Sequence, residues 1–338
     1  MTEPAAAVTA ATSPAIAAPE VEHSMRVIHI TEGNLSGAPS RLAAVERTGG
    51  IDALLLYHRN DADTNDYPYD HLTSEPREVL APLLAAADLV HFHNCWRGSA
   101  AFAVHPWMWD IVGGKPAVFQ VHSPRRGDPI EEAALREPAL TKLVIAQFHV
   151  RQYPECQAVP NAVPIDDPLH LPLFIDNQPP IVAFTPHNCH RSGWHDKGCA
   201  PTLQVLRQGF RHLVKNGALW AEVMRERARC DIAIDEIVTG SYHMCSLESL
   251  SQGLATIAGL DELTVDALEQ VTGTRRHPWI VATPQSLHRE LTRLVEDAAY
   301  RQAKRVEARQ YMETFWNPRK VAARFAAIYA GAAERRGS

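Results

Sequence analysis

The feature that most restricts the fold is a repeated alternation of short apolar runs with longer amphipathic stretches. Arg26-Val27-Ile28-His29-Ile30 is the first run, and others follow at Ala53 to Tyr57, Leu89 to Phe92, Ala117 to Val121 and Lys142 to Ala146. Helical stretches such as Glu78 to Ala87 lie between them. Several runs are apolar throughout, so both faces of those strands are buried, which requires a parallel sheet with helices on either side. In such sheets ligands bind beyond the carboxyl ends of the strands. The residues that end the runs are therefore the first site candidates: Gly33-Asn34-Leu35-Ser36-Gly37, His91 to Asn94, and His122 to Arg126. Glycines in the first of these let backbone amides approach a phosphate or an acceptor closely.

A Pro-rich passage from Val159 to Pro180 interrupts the rhythm and reads as a linker. The pattern then resumes with Ile181 to Thr185, a polar loop ending at Lys197-Gly198, helices expected over Ala200 to Val214 and Trp220 to Arg229, a strand over Asp231 to Asp235, a helix over Leu247 to Gln252, a late strand at Trp279 to Val281, and helix from Leu287 to Ala332 broken at Asn317-Pro318. The 338 residues, 46% of them hydrophobic, suffice for two cores. The expected organisation is a disordered tail over residues 1–24, a Rossmann-like domain over 25–170, a second over 171–315, and a helix over 316–338 that crosses back to the first.

Other classes are disfavoured. A net charge of −6 offers no basic excess for a nucleic-acid partner. No apolar run approaches the ~20 residues needed to span a bilayer, and the Ala-rich start lacks the basic and apolar regions of an export signal. The six cysteines are scattered without a C-x-x-C pair, which reads as reduced thiols in a cytoplasmic protein.

The order of landmarks resembles the retaining glycosyltransferases of family 4, of group 1 type. Their usual series is a strand ending in a Gly-rich loop, an "aDivHxH" strand, a "vxxHd" strand, an "xPNgv" signal, a "KG" loop and a Glu-bearing strand-to-helix turn. Here these stand as Val27 to Gly37, Ala87 to His93, Phe119-Gln120-Val121-His122, Val159-Pro160-Asn161-Ala162-Val163, Asp196-Lys197-Gly198, and Asp231 to Gly253. The resemblance implies a GT-B fold, α/β with two Rossmann-like domains facing across a cleft. It also implies transfer of a sugar from a nucleotide-diphosphate donor, UDP- or GDP-linked, to a hydroxyl acceptor with retention, and neither a metal nor another cofactor.

By the same resemblance Glu248 takes the place of the glutamate that grips the ribose hydroxyls, with Gly240, Tyr242 and His243 beside the diphosphate. Helix N-termini favour phosphate, which suits that arrangement. Lys197 stands for the lysine that neutralises the leaving diphosphate, and Arg191 for its companion arginine. Gly33 and Gly37 fall on the donor side. His122 matches a histidine near the reacting sugar and joins Lys197 as a catalytic candidate. Asn34, His93, Asn94 and Trp96 are acceptor-side candidates. The acceptor itself, whether small molecule, glycan, lipid-linked or protein, is not legible, and homo-oligomerisation is left open.

One departure matters. The family often carries Glu-x7-Glu, and Gly240 replaces the first glutamate, with Glu236 the nearest substitute. This motivates an alternative, a catalytically weak protein that binds nucleotide sugar. A further alternative treats His187, Cys189, His190, His195 and Cys199 as a zinc-binding loop, although their spacing matches no ligand pair.

Overall fold

A computed structural model of the chain describes residues 24–59, 67–186 and 197–337. The tail expected over 1–24 lies outside the described residues except for Ser24.

The first sheet is built from β1 (Arg26–Glu32), β2 (Asp52–His58), β3 (His71–Leu72), β4 (Leu89–His93), β5 (Ala117–Val121), β6 (Thr141–Ile145) and β7 (Gln157–Val159), in the order β3-β2-β1-β4-β5-β6-β7. Every pairing is parallel. The side-chain period of two sorts each strand between two cores. Ile28, Ile30, Val90, Phe92, Phe119 and Val121 face the helices Arg77–Ala86 and Trp107–Val112. Val27, Leu55, Leu89 and Val118 face the opposite way, toward the helix Ala38–Thr48 and the helix Pro318–Gly337.

That second face changes character along its length. Apolar Val27 and Leu89 give way toward the carboxyl ends to His29, Thr31, His91 and His93, all buried, with His29 opposite His91 in register. Phe325, Ile328 and Tyr329 of the last helix close over this face.

The second sheet comprises β8 (Val182–Phe184), β9 (His212–Val214), β10 (Ile232–Ile234), β11 (Ala255–Ala258) and β12 (Ile280–Val281), ordered β12-β11-β10-β8-β9 and again all parallel. The helix expected over Ala200 to Val214 ends at Leu206, and His212–Val214 is an edge strand. Gly209, at φ +107°, turns the chain between them. A third core welds the halves together: Ala146, Val163 and Ile165 pack with Tyr242, Leu247, Trp279, Met312 and Trp316. Trp316 Nε1 donates to Asn161 O at 2.8 Å, just before the chain returns to the first domain as Pro318–Gly337. The architecture is thus α/β with two Rossmann-like domains facing across a cleft. No described helix is long and apolar enough to cross a membrane.

Candidate functional site

The carboxyl ends of both sheets open on one cavity of about 450 Å³. The first domain lines it with Asn34, Leu35, Ser36, Ala38, His122, Gln147 and His149, and the second with Thr185, Lys197, Lys215, Trp220, Arg227, Asp235, His243 and Glu248.

The loop after β1 enters the cavity through a tight turn. Asn34 Oδ1 accepts from Ser36 N at 2.9 Å, and Gly37 at φ +74° starts the following helix. A Cβ at Gly37 would lie 2.4 Å from the Tyr67 ring, so only glycine fits. Arg41, one turn into that helix, crosses to the second domain and forms a buried ion pair with Glu248. Its guanidinium lies 5.0 Å from the Tyr67 ring centre and 5.1 Å from that of Trp220.

Glu248 sits within the helix Met244–Ser251. Its Oε1 accepts from Arg41 and from Trp220 Nε1 at 2.7 Å, and its Oε2 accepts from Arg227 Nη2 at 2.9 Å. Burial opposes ionisation of this carboxyl, yet Arg41, Arg227 and His170 outweigh it and hold the group below its ordinary range. An ionised carboxylate offers about four lone-pair sites. Three are used here, on Oε1 by Arg41 and Trp220 and on Oε2 by Arg227.

Asp235, which directly follows β10, is buried beside the same helix start. Its Oδ2 accepts from His243 N at 2.6 Å, and Oδ1 lies 3.6 Å from His243 Nδ1. Burial raises its pKa, but His243 and Lys197 more than offset this and the group is held low. Lys197 therefore faces an anionic wall on its own domain. Lys215, bridged to Glu222 at 2.8 Å and Glu226 at 3.0 Å, adds a second cation to the lining.

His122 follows β5. Its N–H donates to Asn94 Oδ1 at 2.8 Å, and Asn94 Nδ2 donates to Ser123 Oγ at 2.7 Å, so Asn94 clamps the ends of β4 and β5 together. His93 lies behind His122, with Nδ1 2.9 Å from His122 Nε2. Burial drives the His122 pKa down to about 3, so the ring is neutral at physiological pH.

The sequence candidates thus divide. Asn34, His122, Lys197, His243 and Glu248 converge on the cavity. Gly33, Gly37, Gly240, Tyr242, His93, Asn94 and Trp96 lie outside its lining. Tyr242 is fully buried, stacks on Trp279 and donates to Ala146 O at 2.6 Å. Trp96 packs edge-on against Phe92 and Trp109 in the first core. Arg191 lies outside the described residues, as do His187, Cys189, His190 and His195 of the zinc-loop alternative.

Gly240 and Glu236 explain the missing glutamate. Gly240 adopts φ +77°, and a Cβ there would meet Asp261 Oδ2 at 2.4 Å. Glu236 accepts from the backbone N–H groups of Val238, Thr239 and Ser241 at 2.9, 2.6 and 3.0 Å, so it organises the loop and does not reach the cavity lining. Cys95, Cys156, Cys230 and Cys245 are free thiols, whereas Cys199 is disulfide-bonded, a departure from six reduced cysteines.

Sequence reasoning missed Arg41, Trp220 and Arg227 as site residues. Nothing local marks a helix-face arginine whose partner lies 207 positions away. Asp235 carried a usable signal, since it directly follows a strand at the carboxyl edge of a parallel sheet.

No protein-family model matches the sequence, and no curated protein matches it. Among solved structures the chain is similar to an alpha-glucosyltransferase in complex with UDP and a 13-mer DNA (TM-score 0.66, 10% identity, covering 91% of this chain and 100% of that one). It is also similar to a sucrose-phosphate synthase from Thermosynechococcus elongatus (TM-score 0.57, 13% identity, 91% and 98% covered). A third similar structure is the Anabaena protein HepE in complex with UDP (TM-score 0.57, 15% identity, 91% and 100% covered). At these identities the likeness is one of architecture, and the architecture this chain shares with those glycosyltransferases is the GT-B fold.

Proposed function

We propose that the chain is a glycosyltransferase that moves a sugar from a UDP- or GDP-sugar to a hydroxyl acceptor, with retention of anomeric configuration and without a metal. The observation that carries this reading is the convergence of Glu248, Lys197 and His122 on one interdomain cavity at facing strand ends. In it, the Glu248 carboxylate receives a ribose hydroxyl, and the ammonium groups of Lys197 and Lys215 neutralise the departing diphosphate. Bound UDP in two of the similar structures supports a uridine donor. The acceptor hydroxyl attacks from the face that the diphosphate leaves, and a diphosphate oxygen takes its proton. A net charge of −6 argues against a polyanionic acceptor.

A thermal-shift panel of UDP-, GDP-, ADP- and dTDP-sugars tests donor binding, because a ligand that binds only the folded state raises its melting point. Slow hydrolysis of the stabilising donor, followed by proton NMR before the released sugar mutarotates, reads the stereochemistry. No shift with any nucleotide sugar would remove the reading, and an inverted first product would remove retention.

A further inference from the structure

Behind the cavity wall, buried polar side chains form an unbroken hydrogen-bonded chain that the transfer reaction as written above does not use. Tyr329 OH lies 2.5 Å from Glu46 Oε1, and Glu46 Oε2 lies 2.7 Å from His29 Nε2. His29 Nδ1 is 2.9 Å from His93 Nε2, and His93 Nδ1 is 2.9 Å from His122 Nε2. Glu46, His29 and His93 are wholly excluded from solvent. His122 belongs to the cavity lining.

With Glu46 as a carboxylate and His29 as a neutral ring, the direction of these bonds is set, because a carboxylate only accepts. Glu46 Oε2 must receive the hydrogen of His29 Nε2, which in a neutral ring leaves His29 Nδ1 bare. His93 Nε2 then donates to it, His93 Nδ1 is bare, and His122 Nε2 donates in turn. One nitrogen is left over, His122 Nδ1, unprotonated, buried beneath the cavity surface and without a hydrogen-bond partner among the described residues, so a ligand reaches it only as the ring or its neighbours give way. The side branch obeys the same rule. Tyr329 OH donates to Glu46 and accepts from His91 Nδ1 at 2.9 Å, which leaves His91 Nε2 without a proton.

We propose that Glu46, acting through His29 and His93, is a positioning residue that fixes His122 as the Nε2–H tautomer and so makes its Nδ1 a hydrogen-bond acceptor for a hydroxyl group in the cavity. A bare imidazole nitrogen receives a hydroxyl but repels a phosphate or carbonyl oxygen, so the chain determines which end of a nucleotide sugar lies against His122. That last step rests on the glycosyltransferase reading, whereas the tautomer does not. Burial holds His91, His93 and His122 as neutral rings, in keeping with this polarity.

His29, His91 and His93 also stand close enough together to be considered as metal ligands. The 2.9 Å separation of His29 Nδ1 and His93 Nε2 is that of a hydrogen bond. Two nitrogens on one tetrahedral zinc, each about 2.05 Å from it, would sit about 3.3 Å apart.

The test is two-bond proton–nitrogen correlation NMR on the full chain carrying 15N-histidine, recorded without ligand and then with UDP-glucose. His29, His93 and His122 are expected as Nε2–H tautomers and His91 as Nδ1–H. Glu46→Leu removes the acceptor at the head of the chain and should move the proton of His122 onto Nδ1. His93→Phe keeps a ring in place, cuts the chain, and should leave His122 averaging between tautomers, which decides the matter if Glu46→Leu does not fold. UDP-glucose should shift the Nδ1 resonance without protonating it. A protonated Nδ1 on His122 in the wild type overturns the proposal, whether it arises from a second proton on His29 or from stoichiometric metal on His29 and His93. Nε2–H tautomers with no response to any nucleotide sugar would overturn the glycosyltransferase reading and leave the tautomer assignment standing.

Discussion

Arg41 and Glu248 form a buried ion pair across the cleft, joining the helix that follows the Gly-rich loop of one domain to the helix Met244–Ser251 of the other. Arg227 and Trp220 hold the same carboxylate from within the second domain. Removing Arg41 therefore leaves Glu248 partly satisfied. Arg41→Met should cost about 1.5–3 kcal/mol, the range for a hydrogen bond to a charged group. Urea unfolding measures it, and a double-mutant cycle with Glu248→Gln isolates the coupling.

The acid limb of stability carries a second signature. His122 and His170 are driven down to about 3 by burial, so between that value and about 6.5 the unfolded chain binds protons that the native one does not. Stability should therefore fall as pH drops through this window, by about 2 kcal/mol per histidine between pH 7 and pH 5. Glu248 acts at lower pH. Its folded pKa is depressed, so its contribution is present above the ordinary carboxylate value of 4.5 and is lost as pH falls through the folded one. Urea midpoints at pH 7, 5 and 4 for the wild type and His170→Asn separate the two; an unchanged difference between pH 7 and 5 in His170→Asn would contradict the assignment.

Restoring a side chain at position 240 should harm the protein. Gly240→Ala places a Cβ against Asp261, which caps the helix Glu262–Thr272 and holds Arg151 through two contacts at 3.0 and 3.1 Å. With the left-handed backbone added, the cost should be about 2 kcal/mol. Gly240→Glu should be at least as destabilising and recover no turnover, as a melting curve and a donor-hydrolysis assay would show.

Lys197→Ala should reduce turnover about 10²-fold, the scale for removing one group that stabilises developing charge, while leaving the melting temperature within a few degrees. Glu248→Ala should instead raise the donor concentration needed for half saturation. Equal turnover in Lys197→Ala and wild type would take the leaving group away from that ammonium.

The strands that bear the site were legible because a doubly covered parallel strand is rich in apolar residues on both faces, and β1, β4, β5 and β10 are short, mainly apolar runs. The edge strand His212–Val214 was read as helix, since half its pattern is solvent-facing and only Gly209 marked the turn. At the site, Glu248 and Lys197 were visible from their places in an ordered series of motifs. Arg41 was not, because the partner that gives it meaning belongs to the other domain. Glu46 and His29 were invisible for a related reason: each is unremarkable in its own segment, and only the sheet register with β4 sets them in line.

The helix Pro318–Gly337 has a consequence for how the protein is made. Val321, Phe325, Ile328 and Tyr329 complete a core whose other members come from the first strands and the first helix. On a ribosome, the amino-terminal domain therefore emerges first with one sheet face covered only by the helix Ala38–Thr48, and the rest of that face stays open until the second domain has been synthesised. Completion of the first lobe then waits on the helix Pro318–Gly337, and a chain stopped at Trp316 should be a substrate for chaperones.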